Sequence, residues 1–138
     1  MAKLRHLAIA AQDPDATAQF YVEALGMSRL GVIKASWGFG HIVTDGVMSI
    51  SILKYLVDDA AGRENGVSFS GLHHIGFAVD DVAAAGARVV AASGVIRNDI
   101  SEALGMKADA TVREYEGPDH VVFDLGGQAV WDVTREYR

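Results

Sequence analysis

A chain of 138 residues that is half apolar and 22% charged is long enough to bury one core; it fits a single compact domain, or two small modules sharing that core. Its formal charge of −6, with no Lys/Arg-rich run, argues against a nucleic-acid partner, because an acidic surface repels phosphate. The absence of cysteine removes disulfides and thiolate metal sites, no stretch approaches the ~20 apolar residues of a membrane span, and Met1–His6 lacks the apolar run of a secretion signal, so the expectation is a cytoplasmic protein with no membrane partner.

Leu4 to Ala11 is a short apolar run that reads as a strand. Asp13-Pro14 then opens a helix: the Asp side chain can accept a free N–H as N-cap, and proline loses nothing at the first helical position. The helix runs to about Leu25, with Phe20, Tyr21, Ala24 and Leu25 expected on its inward face, and Gly26 stops it. Three strands follow, Ser28–Lys34, Trp37–Thr44 and Val47–Tyr55, the last two joined by the tight-turn pair Asp45-Gly46. On the last strand Val47, Ser49, Ser51 and Leu53 share one face.

Residues 57–70 are polar and glycine-containing and read as a linker. Leu72–Val79 is a strand, Asp81 caps an alanine-rich helix to about Ala92, and Ser93-Gly94 ends it. Val95-Ile96 begins a strand. Arg97–Asp109 breaks the pattern and is long enough to form a lid or pocket wall, with a helical turn over Ile100–Met106. Ala110–Tyr115 and Val121–Leu125 are strands around the turn Gly117-Pro118-Asp119-His120. Gly126-Gly127 is a break, and an apolar Val130–Val133 precedes a polar end.

The two halves repeat. Leu4, His6, Ile9, Asp13 and Gly26 match Leu72, His74, Phe77, Asp81 and Gly94 at a constant offset of 74 − 6 = 68 residues. Module one therefore spans 1–56 and module two 71–138, each with the order β-α-β-β-β, inside one domain of the α+β class. A histidine at the same place on each first strand points to chemistry, because such a group facing a sheet concavity must find a partner or bear its desolvation.

The carriers of a family resemblance are Arg5-His6-Leu7-Ala8-Ile9, Phe20-Tyr21-Val22-Glu23-Ala24-Leu25-Gly26-Met27, His73-His74-Ile75-Gly76-Phe77-Ala78-Val79-Asp80-Asp81 and Gly117-Pro118-Asp119-His120-Val121-Val122-Phe123-Asp124-Leu125. Together they resemble the vicinal oxygen chelate superfamily of glyoxalase I, methylmalonyl-CoA epimerase, extradiol dioxygenases, fosfomycin-resistance enzymes and bleomycin-resistance proteins. The resemblance implies tandem βαβββ modules forming a curved mixed sheet around a metal-binding trough. It places the metal ligands on His6, His74 and Asp124, and the divalent ion on Fe(II), Mn(II), Zn(II) or Ni(II). Two departures stand out: the last-strand acid is Asp where the family has Glu, and His120 replaces the turn glycine, although His is among the residues more often found with positive φ. The fourth ligand of glyoxalase-type members falls on Ser51, or Ser49 on the same face, and serine is a poor ligand beside imidazole and carboxylate.

Two histidines and one carboxylate match a facial triad with open positions, which suits a dioxygenase-like or transferase-like enzyme. A glyoxalase- or epimerase-type lyase or isomerase is the first alternative, and a non-catalytic drug-binding protein of the bleomycin-resistance type the second. In each case the partner is a small molecule, and superfamily habit implies a homodimer. Ser49, Ser51, His41 and Trp37 are the candidate substrate contacts. His73 is expected to face away from His74 and to be structural or to support its neighbour. Trp37, Phe39 and Trp131 are expected to pack in the core or line the pocket, and Asp132 is not expected to be a ligand.

Overall fold

The computed structural model describes residues 1–106 and 111–134. Module one comprises β1 (Lys3–Ala10), α1 (Pro14–Leu25), β2 (Ser28–Ala35), β3 (Gly38–Thr44) and β4 (Ser49–Tyr55). Between the modules the expected linker folds into a short helix, α2 (Asp58–Ala61). Module two comprises β5 (Gly71–Val79), α3 (Val82–Ala91), β6 (Val95–Ile96), α4 (Asn98–Ala103), β7 (Val112–Glu116) and β8 (Val122–Gly127). The expected strand start at Val95-Ile96 is β6 and the expected lid stretch contributes α4, while its residues 107–109, the expected strand start Ala110 and the last four residues lie outside the described residues. The Gly126-Gly127 break is not observed: β8 continues through both glycines.

The eight strands form one open curved sheet in the order β2-β3-β4-β1-β5-β8-β7-β6. The two first strands, β1 and β5, pair antiparallel at its centre, and each pairs in parallel with the last strand of its own module, β4 or β8. The pseudo-twofold implied by the 68-residue offset is therefore built into the sheet: Ala8 faces Ser51 as Gly76 faces Asp124.

The helices are capped as their sequences dictate. Asp13 accepts from the Ala16 amide at 3.1 Å and Asp81 from the Ala84 amide at 3.0 Å. Gly26 closes α1 with φ +69°, the left-handed conformation that glycine adopts freely.

Alternation along the strands gives the sheet two distinct faces. On the outer one, Leu7, Ile9, Ile50 and Ile52 pack beneath α1, and Phe77, Val79, Phe123 and Leu125 beneath α3. The inward stripe of α1 is Pro14, Ala18, Tyr21 and Val22, whereas Phe20 and Leu25 are 59% and 63% exposed. Ala24 is exposed as well, so the expected inward face is corrected for these three residues and holds for Tyr21. Helix and sheet approach closely through Ala18, which is fully buried, so small residues rather than the largest ones form the contact. On the inner face, Ala10, Leu53 and Tyr55 pack against Ala60 and Ala61 of α2, with Ala103 and Leu104 from the end of α4 beside them. That pair of short helices closes one end of the trough.

Candidate metal centre

Three strands deliver three polar groups to one point of the inner face. His6 (β1), His74 (β5) and Asp124 (β8) are all buried, and each offers an atom to a cluster within 4.8 Å. His74 Nε2 lies 3.1 Å and His6 Nε2 3.5 Å from Asp124 Oδ2, and the two Nε2 atoms are 3.3 Å apart.

The outer hydrogen bonds determine which ring nitrogens carry protons. His6 Nδ1 lies 3.0 Å from the Ser49 carbonyl oxygen. A carbonyl only accepts, so Nδ1 carries the hydrogen and Nε2 is left with a bare lone pair. His74 Nδ1 contacts His73 Nδ1 at 2.7 Å, and His73 Nε2 contacts the Ala61 carbonyl at 2.6 Å. By the same reasoning His73 donates from Nε2 and accepts at Nδ1, so the hydrogen between the rings belongs to His74 and its Nε2 is also bare. No proton then lies between the two Nε2 atoms.

Two lone pairs and a carboxylate oxygen brought this close repel one another unless a cation or an added proton stands between them. A divalent ion bound at ~2.1 Å to nitrogen and oxygen has ligand–ligand edges of about 3.0 Å in an octahedron and about 3.4 Å in a tetrahedron. The observed separations of 3.1, 3.3 and 3.5 Å lie within about 0.1 Å of that range. The residues present fit the metal that the fold family implies.

A fourth titratable group, not expected from the sequence, adjoins the three. Glu114 on β7 is the cross-strand partner of Asp124 and is buried. Burial first, and then the charge of Asp124, push the Glu114 carboxyl well above its usual range, so it keeps a proton. Asp124 itself is pushed up to about 6 by burial, with the neighbouring Glu114 opposing the shift. Hairpin arithmetic could have found Glu114: the pairs Glu116↔Val122 and Glu114↔Asp124 are both centred on Asp119, in the turn that the sequence marks.

Burial lowers the imidazoles, His6 to about 3 with help from His74, His73 to about 4, and His74 as well. An unfolded chain takes up protons on these histidines below about pH 6.5, while the folded chain does not, so their contribution to stability is lost as pH falls. The two carboxyls act oppositely, because their raised pKa values favour the folded state at low pH. Three histidines outweigh two carboxyls. The metal-free protein is therefore expected to lose on the order of 2 kcal/mol between pH 7 and pH 5, measured by urea unfolding at each pH. A midpoint that rises on acidification would contradict this balance.

Trp131 covers the centre. Its ring lies 5.0 Å from that of His6 and is parallel to it within 3°. Two glycines make room for it: a Cβ at Gly76 would come within 2.8 Å of His6 and 3.0 Å of the indole, and one at Gly126 within 2.7 Å of the indole. Asp132, next in the chain, points elsewhere and caps the Thr134 amide at 2.9 Å.

The candidate substrate contacts divide. Ser49 and Ser51 are buried on the trough face, and Ser49 serves His6 through its backbone carbonyl. Trp37 packs at the α2 end, 6.0 Å from Tyr55, whose ring is in turn 4.8 Å from that of His73. His41 is not brought to the centre. It pairs with Asp15 of α1 on the outer face, beside Ile52, because its place on β3 has the opposite parity. Phe39, at 40%, is exposed rather than packed in the core. His120 and Asp119 both adopt φ +60°, and the His120 side chain is solvated. A cavity of about 620 Å³ opens beside His73, between Glu64, Phe69, Arg97 and Glu116. The larger cavity of about 860 Å³ lies on the outer side, between α3 and β7, away from the three groups.

Residues 3–125 match the model of the Glyoxalase/Bleomycin resistance protein/Dioxygenase superfamily. The chain belongs to this superfamily. No curated protein matches the sequence. Among solved structures, a hypothetical protein of Bacillus halodurans superposes with a TM-score of 0.70 at 20% identity, over 92% of this chain and 94% of its own. A methylmalonyl-CoA epimerase of Streptomyces coelicolor gives 0.69 at 21%, over 95% and 97%. The Mycobacterium tuberculosis methylmalonyl-CoA epimerase gives 0.65 at 16%, over 90% and 86%. At these identities the likeness establishes the superfamily fold. Among the described residues no helix is long and apolar enough to cross a membrane.

Proposed function

We propose that this superfamily member is a divalent-metal-dependent enzyme for a small organic molecule with neighbouring oxygens, and that it moves a proton in the manner of an epimerase or lyase. The observation that carries the metal is the convergence of two bare imidazole nitrogens and one carboxylate oxygen at 3.1–3.5 Å. A bound divalent ion would supply Lewis acidity toward chelated substrate oxygens. The chain's own groups do the rest. His6, His74 and Asp124 hold the ion. Glu114, buried on the strand beside Asp124 with its carboxyl held protonated, is the candidate general acid–base group. Trp131 on one side and α2 with α4 on another exclude bulk water.

A second reading rests on Ser51. It occupies the place in module one that Asp124 holds in module two, and the missing fourth ligand leaves open positions that suit a dioxygenase- or transferase-like centre. Two assays of tag-free protein loaded with Fe(II), Mn(II), Zn(II) or Ni(II) separate the readings. An acyl-CoA ester with an acidic C–H is expected to take up deuterium from D₂O. A Glu114→Gln variant is expected to keep its metal and lose about 10²-fold or more of that exchange. Ring cleavage of a catechol with Fe(II) and O₂, without exchange, would favour the second reading. Failure to take up any of the four metals would overturn both.

A further inference from the structure

The two modules hold their histidines by different devices. His6 opens the β1/β4 ladder, opposite Ser49, and takes that residue's carbonyl directly. The β5/β8 ladder opens only at Ile75↔Phe123, so His74 lies one residue beyond its end, and its Nδ1 meets His73 rather than a strand carbonyl. Both first strands carry a register shift next to the histidine. Arg5 is skipped between Leu4↔Phe77 and His6↔Gly76, and His73 between Ala8↔His74 and Ile9↔Leu72. These positions are related by the same 68-residue offset. The bulge is shared, but its occupant is not: Arg5 turns its guanidinium to the Leu4 carbonyl at the surface, whereas His73 stays beside His74. A bulge breaks strict alternation, which is why two consecutive rings meet here with centroids 5.0 Å apart, where the sequence pattern expects them on opposite faces.

We propose that His73 is a positioning residue for the metal centre: it stands in for the absent strand carbonyl and keeps the Nε2 lone pair of His74 aimed at His6 and Asp124. The Ala61 carbonyl at the end of α2 fixes His73 as the Nε2–H tautomer, at 2.6 Å. That leaves Nδ1 as an acceptor, which holds His74 as the Nδ1–H tautomer at 2.7 Å. Tyr55, with its hydroxyl 3.4 Å from the same nitrogen and its ring 4.8 Å away, braces His73 from the trough side. The centre is thereby tied to α2, whose Ala60 and Ala61 are buried under the sheet. Partners of this kind, acting through a ligand's other nitrogen, are each worth about 10–100-fold in metal affinity.

This inference rests on the metal reading for its consequence but not for its geometry, so two measurements are needed. Nitrogen-15 NMR of the metal-free protein reads the tautomers directly: wild-type His74 is expected to carry its proton on Nδ1 and His73 on Nε2. In His73→Phe the His74 proton is expected to shift toward Nε2. Titration with Co(II), followed by its visible absorption, is expected to give an affinity about 10–100-fold weaker for His73→Phe than for wild type. An amide at the position, His73→Asn or His73→Gln, can accept from His74 and donate to Ala61, and is expected to recover at least about tenfold. A wild-type His74 protonated on Nε2 would overturn the proposal, as would a His73→Phe protein that binds Co(II) like wild type. If wild type binds no metal, the proposed function fails, and the tautomer measurement still decides the role of His73.

Discussion

Replacing His74 with alanine is expected to abolish stable metal uptake, lowering affinity by more than about 10²-fold. The size follows from what each group does. A partner that merely orients a ligating imidazole is worth about 10–100-fold, and His74 is placed to contribute a donor atom itself, 3.1 Å from Asp124 Oδ2 and 3.3 Å from His6 Nε2. Its removal leaves one imidazole and one carboxylate, and no serine nearby can replace it. The metal-free fold is expected to survive, because the same change removes one of two mutually repelling lone pairs and offsets part of the loss of packing. Metal content after dialysis, with circular dichroism on the same sample, checks both halves of the claim. Near-stoichiometric metal in a folded His74→Ala protein would move the site away from these three residues.

The residues at this centre differ in how far the sequence reveals them. His6, His74 and the caps Asp13 and Asp81 are legible because a repeat places identical residue types at a fixed offset. Asp124 comes through the family resemblance, as the acid that follows the matching turn. Glu114 is harder, since nothing marks Glu114 over Glu116 until the β7/β8 register puts it opposite Asp124. The contact between His73 and His74 is harder still. Alternation sends neighbours to opposite faces, and the bulge that overrides it has no residue signature in Leu72-His73-His74. The phase of α1 is misjudged from sequence for another reason. Large side chains look like the buried ones, yet a helix lying close to a sheet buries its small ones, here Ala18, and leaves Phe20 in solvent. The face of His41 is open in the sequence, and only the β3/β4 register, which pairs it with Ile52, assigns it to the outer side.

Trp131 illustrates the remaining gap, and its replacement is the change with the largest expected effect on stability. The indole follows a glycine pair that looks like the end of the fold, yet it folds back over the sheet into a cradle made by Gly76 and Gly126. Truncating a buried tryptophan to alanine is expected to remove about 3–5 kcal/mol, and the stacked contact with His6 adds about 0.5–1.5 kcal/mol to what packing alone supplies. The functional consequence comes through His6. Its pKa is lowered to about 3 chiefly by burial, so admitting water over the ring is expected to raise it toward the ordinary value near 6.5. Protons then compete for the Nε2 lone pair at higher pH, and metal is released at higher pH in Trp131→Ala than in wild type. Trp131→Phe keeps an aromatic face on His6 and is expected to retain most of both properties. Urea unfolding at pH 7 gives the stability term, and a histidine-resolved NMR titration of the metal-free protein gives the His6 pKa. An alanine variant with wild-type stability and a His6 that still refuses its proton at pH 5 would mean that the indole does not shield this ring.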